Sequence, residues 1–332
     1  MGPVEIHHAP GPQEIAATLS VAESERLLSD WFEADVVLTS SGRAATLLYL
    51  TAVGLNRYRD TIAVPRMISA CVLDAVIRRG FPVDAGTGAQ ANLTILYHQY
   101  GIPQAWRPTG AVLEDIAHAF FAGPETGARA WSGQAAVFSL PKFFATSTMS
   151  GGLVVHDPAM ASRLRDMRDM TPASANRDLA REGEIFRQTY LSGGLALETV
   201  YLARLIDPRL RDDETGGLPR ALTGIRDVGG QRRATLDRLL AALPPGALPP
   251  GWRELVSTGL PFVLPVFGPE GVLTAADRDL AALGVGAGVY RIDIARRMDR
   301  PDLRPALLVP CHQGMPPALV EAVAHSLASH LG

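Results

Sequence analysis

The chain has 332 residues, of which 47% are hydrophobic and 20% are charged, and its formal net charge is −3. This composition allows a large core and two domains, whereas the balanced charge argues against a nucleic-acid partner. No apolar stretch reaches membrane-spanning length, and the N-terminus lacks a basic region followed by an apolar run. The two cysteines lie far apart without metal-ligand spacing, so we expect a reduced cytoplasmic protein without a metal site.

Short apolar segments alternate with helical patterns through the first half of the chain. Buried strands are predicted over 35–40, 61–65, 93–98, 111–119, 135–140 and 151–157. Helices are predicted over 43–55 and 68–80, and glycine ends the second of them. This alternation predicts an α/β fold with a mostly parallel sheet covered by helices. Polar residues gather where the strands end, which is where open α/β sheets bind ligands.

After about residue 158 the pattern becomes helical, and the proline-rich stretch 244–251 reads as a loop. The segments that follow predict a smaller α+β unit. They are strands at 261–267, 288–294 and 306–310 and helices at 274–283 and 317–331. We therefore predict a large domain over 1–205 and a small C-terminal domain over 206–332.

The first motif is "TSSGRAA" (39–45), where a strand runs through a Ser-Ser-Gly turn into a helix. Glycine allows close backbone approach, and free N–H groups at a helix N-terminus suit a phosphate, to which Arg43 could add charge. An ordinary strand–turn–helix with a serine cap gives the same pattern.

The second motif is "VLEDIAHAF" (112–120), in which Asp115 ends an apolar strand and His118 follows three residues later. A carboxylate at a strand end can hold a protonated ring nitrogen, with the histidine near the same ring. The alternative is a helix-capping aspartate beside a histidine that is satisfied within the core.

The third motif surrounds Lys142, the only lysine in a chain whose other 30 Lys+Arg residues are arginines. Arginine stays protonated, whereas a lysine whose pKa is lowered can act as a nucleophile and form a Schiff base. Lys142 follows a buried strand that contains Ser139 and precedes a Gly-Gly turn. An incidental surface lysine is the alternative.

Together these motifs resemble the DegT/DnrJ/EryC1/StrS family of aminotransferases, which are fold-type-I enzymes that use pyridoxal 5'-phosphate (PLP). The resemblance covers most of the chain and is strongest from 39 to 157. Its further elements are the strand–helix–strand unit 61–86, "HQYGIPQAW" (98–106) and the closing "LLVPCHQGMPPALVEAVAHSL" (307–327). It implies a fold-type-I transferase with a small C-terminal α+β domain.

The resemblance also implies a role for each residue of the motifs. Lys142 would form the Schiff base and act as general base, Asp115 would pair with the ring nitrogen, and His118 would lie near the 3-oxygen. The residues implied in phosphate binding are Gly42, Arg43, Ala44 and Ser139.

The sequence departs from the commonest family pattern in two places near the ring. Ser69 stands where an aromatic residue often stacks on the ring. An ungapped alignment places Phe144 at the lysine position, although some family branches place the lysine three residues after the serine, as here. A relative that forms no Schiff base is the alternative.

The resemblance implies transfer of an amino group from an amino-acid donor to a keto sugar, cyclitol or similar small ketone, in specialised metabolite biosynthesis. It also implies a homodimer with its sites at the subunit interface. Two other functions stay open, namely a different PLP-dependent reaction such as dehydration and a non-catalytic partner subunit.

Overall fold

A computed structural model describes residues 4–5, 19–122, 133–144, 150–171, 209 and 222–332. Its main feature is a seven-stranded sheet with the order β2-β8-β7-β6-β5-β3-β4. The strands are β2 (Asp35–Thr39), β3 (Thr61–Val64), β4 (Phe81–Asp84), β5 (Leu93–Tyr97), β6 (Val112–Asp115), β7 (Ala135–Ser139) and β8 (Gly151–Val155). All run parallel except β8, which is antiparallel to both of its neighbours. The predicted mostly parallel sheet is confirmed.

Helices cover both faces of this sheet, as predicted. In the first half of the chain they are α1 (Val21–Phe32), α2 (Gly42–Ala52), α3 (Ala70–Ile77) and α4 (Pro158–Met170). The apolar strands bury both faces, because Val37 packs in one hydrophobic cluster while its neighbours Val36 and Leu38 pack in the other. Burial on both faces explains why these strands read as continuous apolar runs.

Two predictions of local structure were wrong or incomplete. The strand predicted over 111–119 ends at Asp115, and a tight turn follows, in which the N–H of Ala119 donates to the carbonyl of Ile116. Helix α1 was not predicted, although Ser20 and Glu23 form a capping box at its start. That Ser-x-x-Glu pattern, followed by apolar residues, is the signal that could have revealed the helix.

The C-terminal part of the chain forms a second, smaller sheet with the antiparallel order β11-β12-β9. Its strands are β9 (Val263–Phe267), β11 (Val289–Asp293) and β12 (Leu303–Pro310), and its helices are α5 (Ile225–Ala242), α6 (Trp252–Gly259), α7 (Glu270–Ala282) and α8 (Pro317–Leu331). A short strand β1 (Val4–Glu5) pairs in parallel with β10 (Val285–Gly286). The predicted loop 244–251 joins α5 to α6.

One hydrophobic cluster runs without interruption from the large sheet into the small one. It contains Phe138 and Phe143 from the β7 region together with Phe262 and Val263 at the start of β9. The small sheet therefore packs directly beside the carboxyl end of β7. The predicted boundary between 205 and 206 lies outside the described residues.

Candidate active site

The predicted site segments meet at one edge of the large sheet. Tyr97 on β5 pairs with Asp115 on β6, and Asp115 pairs with Val137 on β7. Ser139 at the end of β7 and Thr39 at the end of β2 both pair with Gly151. Because all these strands end at the same edge, the residues that follow them lie together.

The turn before α2 is seated tightly on the sheet. Ser41 caps the helix, and its hydroxyl accepts a hydrogen bond from the Ala44 N–H at 3.1 Å. A side chain at Gly151 would collide with the backbone of Ser41 and Gly42, so the glycine at 151 permits this approach. A Cβ on Gly42 would lie 3.9 Å from the Ser139 Cβ, which places the predicted phosphate ligands Gly42 and Ser139 side by side.

The Arg43 side chain turns towards α3. Its Nε donates to the carbonyl oxygen of Cys71 at 3.0 Å. The guanidinium therefore links the starts of α2 and α3. The Arg43 side chain also ties Cys71 to the same edge of the sheet.

Asp115 is a buried carboxyl group at the end of β6, with 8% of its surface exposed. Its Oδ1 accepts a hydrogen bond from the Ala117 N–H at 3.0 Å. Burial raises the pKa of Asp115, while that N–H group and the positive charges of Lys142 and His98 act in the opposite direction. A cation bound beside this carboxylate would stabilise its charged form.

Lys142 lies on the turn that follows β7, half-buried, with its Nζ 5.2 Å from the centre of the Phe262 ring. Burial lowers the pKa of Lys142, and nearby negative charge on Cys71 and Asp115 partly opposes this. A lowered pKa increases the neutral, nucleophilic fraction of the amine. Lys142 and Asp115 are thus close enough to influence each other.

Phe144, the residue that an ungapped alignment places at the lysine position, lies in the aromatic core instead. It is 2% exposed, and its ring centre is 5.1 Å from that of Phe120 and 5.9 Å from that of Phe121. The turn therefore directs residue 144 into the protein interior and residue 142 towards the sheet edge.

His118 lies within a group of aromatic side chains. Its ring stacks between Phe262, at a centroid distance of 4.9 Å, and Tyr100, at 5.5 Å. Its Nδ1 lies 3.0 Å from the Tyr97 phenol oxygen. The Tyr97–His118 contact keeps His118 close to Asp115, because Tyr97 and Asp115 are paired on neighbouring strands.

Four residues at this edge were not predicted as site residues: Cys71, Tyr97, Tyr100 and Phe262. Tyr97 lies at the end of the predicted strand 93–98 and Tyr100 two residues beyond it, and this position could have indicated both. Cys71 lies in the first turn of α3. Phe262 lies 120 positions after Lys142 in the chain. No sequence pattern links those two, and only the packing of the small sheet brings them together.

Comparisons with known families and with solved structures indicate the same class of protein. Residues 31–178 match a family described as "Putative PLP-dependent aminotransferase". That range contains all seven predicted site residues. No curated protein matches the chain by sequence.

Several solved structures share the fold. A DegT DnrJ EryC1 StrS aminotransferase from Brucella abortus is 15% identical with a TM-score of 0.68, covering 96% of this chain and 92% of the other. DesV from S. venezuelae is 18% identical with a TM-score of 0.67, covering 96% and 90%. NtdA from Bacillus subtilis, solved with bound cofactor PMP, is 15% identical with a TM-score of 0.61, covering 96% and 78%.

The predicted resemblance and the fold-type-I fold class are confirmed by these similarities. The family match over residues 31–178 and the shared fold both make this chain similar to PLP-dependent aminotransferases, enzymes whose cofactor is PLP.

The described residues suit PLP chemically. A buried carboxyl group, a lysine with a lowered pKa and a helix N-terminus beside a serine hydroxyl occur at one edge. These groups match a ring nitrogen, an aldehyde and a phosphate respectively.

Within the described part of the chain, no group of three or more His, Cys, Asp or Glu side chains is placed to hold a metal ion. In the same residues, none of the helices has the length and apolar character needed to cross a membrane.

Proposed function

We propose that this PLP-dependent aminotransferase moves an amino group from an amino-acid donor to a keto sugar, cyclitol or similar small ketone, in biosynthesis of a specialised metabolite in the cytoplasm. Support for the acceptor class comes from relatives of the same fold, which include DesI solved in the presence of its TDP-sugar product. The alternatives of another PLP-dependent reaction and of a non-catalytic subunit are not favoured by these similarities.

The observation that carries the proposal is the position of the only lysine. Lys142 lies at the sheet edge, close enough to Asp115 for their charges to interact, while Phe144 is packed in the core. The turn after β7 therefore supports Lys142 rather than position 144 as the site of the lysine function. A chain that otherwise uses arginine keeps a lysine where a nucleophilic amine is needed.

Each predicted residue has a role that its surroundings support. The Asp115 carboxylate would hold the proton of the ring nitrogen, and His118 would lie near the 3-oxygen. The N–H groups of Gly42 and Arg43 and the Ser139 hydroxyl would bind the phosphate. The Ala44 N–H already donates to the Ser41 hydroxyl and would share its proton between that oxygen and the phosphate.

PLP, when bound, supplies an electron sink for negative charge at the α-carbon of the amine donor. Lys142 would hold the cofactor through its Nζ, and the same nitrogen, when free, would be placed to accept a proton from the α-carbon of the donor. Burial lowers the pKa of Lys142 and so favours the neutral amine that can accept this proton.

The first experiment is an absorption spectrum of the purified protein with PLP, before and after borohydride. We expect the wild type to show a visible absorption band that borohydride removes. The reduced cofactor should then be attached covalently to the peptide that contains Lys142. The matched variant Lys142→Ala is expected to lack the band. A wild type without the band, or a variant that retains it equally, would contradict the proposal.

The substrate class requires a separate measurement. Incubation with ¹⁵N-labelled amino acids and a panel of keto sugars and cyclitol ketones should transfer the label to an acceptor, detected by mass spectrometry. Products formed by loss of water without gain of nitrogen would instead support the dehydration alternative.

We further infer a homodimer with its sites near the interface. In support, α3 is strongly apolar, "ACVLDAVI", and large apolar side chains in or next to it are exposed. Met67 and Ile77 are each 49% exposed, and Phe81 is 65% exposed. Cys71 at the site edge belongs to the same helix. Light scattering should give twice the chain mass of 35.4 kDa, and Phe81→Arg should shift the protein towards the monomer. A wild-type monomer would contradict this inference.

A further inference from the structure

The strongest unassigned feature of the site is the contact between Tyr97 and His118. The phenol oxygen of Tyr97 lies 3.0 Å from Nδ1 of His118. Tyr97 ends β5 and His118 follows β6, so two neighbouring strands fix this distance. The similarity to known families assigns no role to Tyr97.

The surroundings of the phenol determine the direction of this hydrogen bond. Burial raises the pKa of Tyr97 well above its ordinary value, and the charge of Asp115 raises it further, so the phenol keeps its proton. Within the described residues, the Nδ1 of His118 is the only hydrogen-bond partner of the Tyr97 phenol oxygen. The phenol proton therefore has that nitrogen as its acceptor.

A histidine that accepts at Nδ1 carries its proton on Nε2 when it is neutral. The ring plane is also fixed, because the Phe262 ring lies at 12° and the Tyr100 ring at 10° to it. Both the orientation and the tautomer of His118 are therefore set by neighbouring aromatic side chains.

We propose that Tyr97 is a positioning residue that holds His118 in the Nε2–H tautomer, so that His118 meets the cofactor ring as a hydrogen-bond donor. The part that concerns the cofactor rests on the proposed function, whereas the tautomer is a property of the protein alone. The charged and titratable groups around this pair are Tyr100, Asp115 and Cys71, and Lys142 acts on Asp115 in turn.

The test is a long-range ¹H–¹⁵N spectrum of histidine-labelled protein without PLP, which resolves the two ring nitrogens. The chain has eight histidines, and the His118 signals are assigned by their loss in His118→Gln. We expect an unprotonated, hydrogen-bonded Nδ1 and a protonated Nε2 in the wild type. Tyr97→Phe should change the Nδ1 shift and populate both tautomers.

Tyr100→Phe is the matched control, because it removes a phenol oxygen beside the same histidine while keeping the stacked ring. It should leave the His118 pattern unchanged. A wild-type His118 that carries its proton on Nδ1, or on both nitrogens, would overturn the proposal even if Tyr97→Phe failed to fold. So would an unchanged Nδ1 shift in a folded Tyr97→Phe protein.

A titration with PLP tests the second part. Tyr97→Phe should bind PLP about fivefold more weakly than the wild type, the effect of one hydrogen bond, whereas Tyr100→Phe should stay within about twofold. Equal affinity of Tyr97→Phe and wild type would overturn the role towards the ring. A wild type with the expected tautomer but no reducible band would instead count against the proposed function.

Discussion

The two sides of the candidate site are built in opposite ways. Apart from Ser139, the phosphate side is a local structure, since residues 39–44 supply the strand end, the cap and the helix start. The ring side comes from separate segments that contribute Tyr97, Asp115, His118, Lys142 and Phe262. The phosphate side offers mainly backbone N–H groups, whereas the ring side offers buried titratable side chains.

This difference determines how each side responds to change. Backbone donors need only a correct turn, so their function depends on the fit between α2 and the sheet. Buried titratable groups have pKa values set by their surroundings, as the opposite shifts of Asp115 and Lys142 illustrate. Substitutions on the ring side should therefore affect chemistry first, and those on the phosphate side should affect stability first.

The largest expected effect is on the ring side. Lys142→Ala should lower the rate of amino transfer by about 10³-fold or more, because it removes both the nucleophile and the general base. Stopped-flow measurement of the first half-reaction would show it. Lys142→Arg, which keeps the charge but not the reactivity, should lose as much activity. A loss below about tenfold would place the chemistry elsewhere.

On the phosphate side, Gly151→Ala should destabilise the protein by about 3 kcal/mol, since its Cβ would collide with the backbone of Ser41 and Gly42. Urea unfolding would measure the loss. Gly230→Ala is the matched control, because it lies inside α5 with no atom within 4 Å of the added Cβ. That control should gain about 0.5–1 kcal/mol. Equal effects at both positions would refute the packing argument.

Behind the ring side, His312 gives a pH-dependent prediction. Burial, with a contribution from Arg232, lowers the pKa of His312 from 6.5 to about 4. The unfolded chain therefore binds more protons than the folded chain between these two pH values. The part of the folding stability that depends on neutral His312 is fully present above pH 6.5 and is lost as the pH falls towards 4. Stability should fall by about 2 kcal/mol between about pH 7 and pH 5.

The check is the free energy of unfolding of wild type and His312→Gln across that range. The variant should show a correspondingly smaller decrease, because the residue at 312 no longer titrates. Parallel curves for the two proteins would exclude His312 as the source.

The smallest effect is again on the phosphate side. Ser41→Ala removes the hydroxyl that accepts from the Ala44 N–H and should cost about 1 kcal/mol of stability. Thermal unfolding would detect this loss, and Ser41→Asp, which retains a capping oxygen, should recover most of it. A Ser41→Ala protein as stable as wild type would show that this cap contributes nothing.

The sequence by itself determined the parallel sheet and the position of Asp115, Ser139 and the Ser-Gly turn at strand ends. Apolar runs and turn residues are local signals, and parallel strands necessarily end at one edge. The single lysine was equally visible, because it is a matter of composition. The last part of the predicted strand 111–119 was wrong, since the turn after Asp115 is fixed by contacts rather than by propensity.

Only the tertiary structure decided which residue after β7 reaches the site and what surrounds it. The packing of Phe144 against Phe120 and Phe121 directs Lys142 outward. His118 stacks on Phe262, although the two residues are separated by 144 positions in the chain. Such contacts have no local signal, because they depend on how the small sheet packs beside the large one.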